Sequence, residues 1–111
     1  MKRVFTLLAC LAVLPAQAAT PTQAARPSRL GMCAACHGER GIAVVPGVPN
    51  LAGQNRDYLL HALKQYRDGK RDVAAMRAAV GPLSDKQLEQ LASWFAAQPA
   101  CAPENESREQ P

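Results

Sequence analysis

Two stretches of the chain repeat apolar residues at the spacing of a helix. Leu59, Ala62, Leu63 and Tyr66 fall at i, i+3, i+4 and i+7, and so do Leu88, Leu91, Ala92 and Phe95. Each set makes one stripe that has to be buried. The first predicts a helix over 55–68, with Gly69 as its stop and Arg67 in the last turn, where the helix dipole favours a cation. The second predicts a helix opening at Ser84, an N-cap residue, with Gln87 three positions on to complete a capping box and Asp85 in the first turn. Trp94 lies on the flank of that stripe, and Pro99 marks the end. A shorter helix fits 74–80, closed by Gly81-Pro82. Residues 38–53 hold Gly38, Gly41, Pro46, Gly47, Pro49 and Gly53, so they read as a loop. Pro27 suits the first turn of a short helix running into Cys33. No stretch alternates as a strand would and none repeats. The prediction is an all-α domain.

The ends break from this pattern. Lys2 and Arg3 precede an apolar run over 4–14, then Pro15 and the small-x-small string Ala16-Gln17-Ala18. This layout predicts a secretory signal peptide over 1–18, cleaved after Ala18, and a periplasmic mature chain. A buried N-terminal helix is the plainer alternative and accounts for fewer of these features. Leu7-Leu8-Ala9-Cys10 loosely resembles a lipoprotein processing box, but too little apolar sequence precedes Cys10. No run is long enough to hold the mature chain in a bilayer. Residues 19–29 read as a flexible lead-in, 30–101 as the folded domain, and 102–111 as a disordered polar tail rich in glutamate.

Composition adds two constraints. With 111 residues the chain has room for one small domain, and such domains usually need a disulfide, a metal or a cofactor to hold them. Its aromatics are one Trp, two Tyr and two Phe, and Phe5 falls in the predicted signal peptide. So poor a supply of large side chains favours a non-protein group in the core. Formal charge is +4, but loss of Lys2 and Arg3 leaves eleven basic residues against nine acidic ones, a net +2. That balance gives no argument for nucleic-acid binding.

Cys33-Ala34-Ala35-Cys36-His37 is the decisive string. Two thiols three residues apart on a helical turn project to one side and can add across the two vinyl groups of a haem. The next histidine then lies under the iron. C-x-x-C-H is the haem-attachment pattern for that reason, and the oxidising compartment implied by the signal peptide agrees with it. Three other readings compete. A thioredoxin-type C-x-x-C needs a βαβ setting, which is absent; a zinc site needs further ligands, for which only His61 and Cys101 are available; a plain disulfide leaves His37 unexplained.

The sixth iron ligand decides what such a haem does. Met1 leaves with the signal peptide, and Met32 adjoins Cys33 on the same side as His37, so Met76 remains as the thioether donor. A lone Met is otherwise core filling. His61 is the rival, but it points away from the 59/63/66 stripe, beside Lys64. Without Met76 the iron is five-coordinate, a gas or peroxide site. Cys101 is the one thiol left over: a monomer is expected, with a Cys101-linked dimer as the alternative. Arg56, Lys64, Arg67, Lys70, Arg71 and Arg77 form a loose basic group, either a solvated face or a docking patch for an acidic redox partner.

The chain resembles the bacterial class I cytochromes c, in particular small monohaem forms and single halves of dihaem forms. Four stretches carry the likeness: Cys33 to Gly38; Pro49-Asn50-Leu51-Ala52-Gly53-Gln54; Tyr58-Leu59 through Tyr66 to Arg71; and Met76 followed by Leu83-Ser84-Asp85 through Trp94-Phe95. Together they span roughly 30–98. The resemblance implies three to five short helices wrapped around one covalent haem c, with thioether links to Cys33 and Cys36. It implies His37 and Met76 as the axial pair, the Pro49 carbonyl accepting from His37, Leu51 pressing on the haem, and Leu91 with Trp94 packing the closing helix on the first. In the positions of the usual small and aromatic contacts of that crossing stand Ala25 and Arg29. The expected function is one-electron transfer between redox partner proteins, with no catalytic residues. Service as the haem subunit of a larger oxidoreductase, for instance one acting on a sulfur compound, is the alternative.

Overall fold

Local sequence sets where each helix begins and ends. The computed structural model describes residues 24–101, and within them four helices follow in order: α1 (Leu30–His37), α2 (Arg56–Arg67), α3 (Ala74–Val80) and α4 (Asp85–Ala96). The described residues contain no strand. The expected signal peptide, the first part of the lead-in and the polar tail lie outside them.

At the start of α4 the Gln87 amide donates to Ser84 Oγ at 3.3 Å, and Gln87 Oε1 accepts from the Ser84 amide at 3.0 Å. The capping box is complete. Asn55 caps α2 by accepting from the Tyr58 amide at 2.9 Å. At its far end Gly69 takes φ +75°. The Gly69 amide donates to the Tyr66 carbonyl at 3.2 Å and the Lys70 amide to the Gln65 carbonyl at 2.8 Å, which is a Schellman ending.

One boundary differs from the sequence expectation. Helix α1 begins at Leu30, without a side-chain cap. Pro27 sits a turn earlier, buried, and its carbonyl accepts from the Leu30 amide at 3.1 Å. Within the lead-in, Arg26 pairs with Glu39 at 2.6 Å. Helix α4 stops at Ala96, short of Pro99, because the residue before a proline is disfavoured in α geometry. That residue, Gln98, folds back and donates from Nε2 to the Trp94 carbonyl at 3.0 Å.

The core draws on all four helices: Leu30 from α1, Leu59 from α2, Val80 from α3, and Leu88, Leu91, Ala92, Trp94 and Phe95 from α4, with Leu83 between the last two helices. Helix α2 packs against both α4 and α3. Across the first of these contacts Asp85 accepts from Arg67 at 2.6 Å and pairs with Lys64 at 3.6 Å.

The Arg67 guanidinium, aided by Lys64, holds the Asp85 carboxyl below the ordinary carboxylate range. A lowered native value means the contribution is present above the unfolded value of about 4 and fades as pH falls through the native one. The pair is solvent-exposed, so the effect is small. In an acid titration followed by circular dichroism, Asp85→Asn is expected to lose less stability than the parent chain between about pH 4 and pH 2.

Candidate functional site

Cys33 and Cys36 stand one turn apart on α1, and His37 is that helix's last residue. Gly38 ends the helix with φ +77°, where any Cβ would run into the carbonyl oxygen of Ile42. The chain therefore turns sharply after His37, which is only 8% exposed. The His37 Nδ1–H donates to the carbonyl oxygen of Pro49 at 2.8 Å. An acceptor on Nδ1 sets the tautomer and leaves the lone pair on Nε2 free to bind a metal.

The loop that carries Pro49 is held by its own backbone. The Val44 amide donates to the Cys36 carbonyl at 3.1 Å, and the Leu51 and Ala52 amides both donate to the Gly41 carbonyl, at 2.7 and 3.1 Å. The Ala43 amide reaches Asn50 Oδ1 at 2.8 Å. Two bonds fasten the loop to α4: the Trp94 indole N–H donates to the Glu39 carbonyl at 2.8 Å, and the Gly53 amide to the Phe95 carbonyl at 3.0 Å.

Between these elements lies a cavity of about 680 Å³. Cys33, Cys36 and His37 line it from α1, Pro49 and Leu51 from the loop, and Met76 and Val80 from α3. Leu59, Ala62, Leu63 and Tyr66, the whole α2 stripe, form one wall, and Leu91, Ala92 and Phe95 of the α4 stripe form another. The two stripes thus enclose a space as well as packing together. Its volume is that of a small-molecule or cofactor site. The apolar lining pushes the Cys33 thiol up, because burial disfavours the thiolate.

The donor chemistry fits a haem c: two thiols for thioether links, an imidazole nitrogen and a thioether sulfur around an otherwise apolar space. Met76 is partly buried and packed on the core, whereas Met32, also at the cavity, is 48% exposed. His61 is exposed and does not line the cavity. Cys33 and Cys36 are free thiols, not joined to each other. Among the described residues no group of three or more His, Cys, Asp or Glu is placed to hold a metal ion.

Three features of the site escaped the sequence reading. Gly41, at φ +79°, is packed so closely that a Cβ would meet the Ala52 nitrogen at 2.6 Å. The Trp94 indole bond reaches across 55 residues of sequence. Arg71 lies against the rings of Tyr58 and Tyr66, whose spacing of two turns on α2 was the available signal. The basic group itself is largely neutralised: Arg56 pairs with Asp57 at 3.2 Å, Lys64 and Arg67 with Asp85, and Arg77 with Asp72 at 3.7 Å. Cys101 is exposed. Among the described residues no helix is long and apolar enough to cross a membrane.

Known proteins share this arrangement of sequence. Cytochrome c4 of Pseudomonas aeruginosa is 41% identical over 71 residues, covering 64% of this chain and 35% of that protein. Cytochrome c-554(548) of Halomonas halodenitrificans is 38% identical over 73 residues, covering 63% of this chain and 88% of that one. A protein named thiosulfate dehydrogenase electron acceptor, from Thiomonas intermedia, is 37% identical over 71 residues, or 63% of this chain and 33% of its own length. The chain thus spans between a third and a half of the cytochrome c4 and acceptor relatives and most of the shorter cytochrome. The family model described as cytochrome c oxidase, cbb3-type, subunit III matches residues 19–95. With that match added to the four-helix frame and the thiol–imidazole site, the chain belongs to this family of c-type cytochromes, whose prosthetic group is a covalently attached haem c.

Proposed function

We propose that the chain is a periplasmic one-electron carrier, with haem c linked through Cys33 and Cys36 and its iron held by His37 and Met76. One observation carries this reading: those four side chains border a single apolar cavity, and His37 already has its Nδ1 engaged by the Pro49 carbonyl. When bound, the haem supplies an Fe(III)/Fe(II) couple. The protein's part is to hold that couple and tune it. Pro49 orients the imidazole by accepting from its Nδ1–H. Leu51, Leu59 and Phe95 keep water from the space, which favours the less charged, reduced state. The Met76 sulfur pulls in the same direction. His37 and Met76 would both be taken up in holding the iron, which would leave no position for a substrate and suits a carrier without catalytic residues.

A second setting is favoured by the relatives' names. Two of them, from Thiomonas intermedia and Stutzerimonas stutzeri, are thiosulfate dehydrogenase electron acceptors. They point to a sulfur-oxidising dehydrogenase as the class of donor, with the chain acting beside a catalytic partner.

Intact-mass measurement of mature protein from an export-competent host tests the reading. The mass expected is that of the chain after Ala18 plus one haem, lost from the Cys33→Ala, Cys36→Ala double variant. A colourless product without added mass would overturn it.

A further inference from the structure

Met76 stands on a lightly built element. Helix α3 has seven residues, no side-chain N-cap and one buried residue, Val80. A helix so short keeps its shape through its surroundings and hardly at all through its own bonds. The segment 68–84 that contains it leaves α2 through the Gly69 turn and rejoins the frame at α4. Its near end is tied to α2 by the Lys70 and Arg71 amides, which donate to the Gln65 carbonyl at 2.8 and 3.2 Å. Its far end is brought back to the same helix by Arg67. The Arg67 Nη1 donates to the Leu83 carbonyl at 3.4 Å and to Asp85 Oδ1 at 2.6 Å. This side chain is 25% exposed, against 60% for Asp85. Lys64 adds a longer contact to Asp85 at 3.6 Å. Arg67 thus closes the base of the segment.

Arg56, at the other end of α2, also reaches α4, donating from Nε to Ser93 Oγ at 2.9 Å, but it does not bracket the segment that carries Met76. We propose that Arg67 is a positioning residue for the sulfur ligand. By clasping Leu83 and Asp85 to the end of α2 it keeps the Met76 segment closed, and so limits how often the iron's sixth position opens to outside molecules. The proposal rests on the haem reading above, with Met76 as a ligand. An ion pair open to solvent adds little to the stability of a whole domain. It weighs more in a local opening that breaks few other contacts. With only Val80 buried, α3 supplies such an opening.

Imidazole is the probe, titrated at constant neutral pH into oxidised, haem-loaded protein and followed by absorbance. Its nitrogen takes the position that the sulfur leaves: one iron–sulfur bond breaks, one iron–nitrogen bond forms, and the iron stays Fe(III). Apparent affinity therefore reports the fraction of protein with the segment open. Loss of the clasp in Arg67→Gln is expected to raise that affinity about fivefold. Asp85→Asn, which keeps the bond to the Leu83 carbonyl, is expected to raise it less. Arg56→Gln, the charge-matched control on the same helix, is expected to match the parent. A general loosening of the fold would act with or without the sulfur, so Arg67→Gln is also combined with Met76→Ala. There the position is already open, and the added substitution is expected to leave imidazole affinity unchanged. A parent-like affinity in Arg67→Gln, an equal rise in Arg56→Gln, or an equal rise in the Met76→Ala background would overturn the proposal. Should Arg67→Gln fail to fold, Asp85→Asn decides by the same comparisons. A parent chain that binds imidazole as readily as Met76→Ala would instead refute Met76 as the ligand.

Discussion

Replacing Met76 with alanine is expected to erase the weak band at the red end of the oxidised spectrum. It should also lower the midpoint potential by a substantial part of the ~0.8 V range that axial ligands command. Sulfur bound to iron stabilises the reduced state, so its loss shifts the couple towards Fe(III). The open position would then take carbon monoxide in the reduced variant at neutral pH, while the parent chain would not. The structure supplies a control. Met32 also borders the cavity but stands on α1 immediately before Cys33 and is half exposed. Met32→Ala should leave band, potential and gas binding unchanged. If instead Met32→Ala abolishes the band and Met76→Ala does not, the sulfur comes from α1. If neither does, the second ligand is not a methionine.

Replacing Gly41 with alanine should be strongly damaging to the loop. Its φ of +79° already disfavours any side chain, and the added Cβ would lie 2.6 Å from the Ala52 nitrogen and 2.9 Å from Cδ1 of Phe95. Neither neighbour can yield cheaply: the Ala52 amide donates to Gly41's own carbonyl, and Phe95 is a buried core residue. Conformational strain and collision together should cost on the order of 3 kcal/mol. Gly47 isolates the first contribution. It has nearly the same φ, +78°, with nothing within 4 Å of a Cβ, so Gly47→Ala should cost only about 1 kcal/mol. Denaturant titration of the two haem-loaded variants reads the difference. Equal midpoints would mean that the Gly41 cradle relaxes freely and that collision contributes nothing.

Much of the frame was legible because its signals are local. The Ser84–Gln87 capping box and the Gly69 stop each depend on residues within a few positions of one another, and the structure has them where the pattern placed them. The same holds for α3, which spans Ala74–Val80. The start of α1 was misplaced because Pro27 satisfies the rules for a first helical turn and for the turn before a helix equally well. What remained illegible is non-local. Nothing near Trp94 announces that its indole will bind the Glu39 carbonyl, and nothing near Arg67 or Lys64 announces a shared partner in Asp85. A basic cluster in sequence became a set of ion pairs in space. The chemistry of the site was readable for the opposite reason, since cysteine, histidine and methionine have few roles at such spacing. That these donors ring one cavity is a matter of fold, which only the structure could add.

The loop from Gly38 to Gly53 has a further consequence. Its main ties are amide to carbonyl, from Val44 to Cys36, from Leu51 and Ala52 to Gly41, and from Gly53 to Phe95. Side chains at its outer tip, such as Val44 at 67% exposure and Val45 at 40%, contribute none of those bonds. Descendants of this gene can therefore exchange the tip residues, and with them the texture offered to other molecules, while the scaffold beneath keeps its shape. Inheritance of a stable frame and diversification of its outer face are separable here because different atoms serve each.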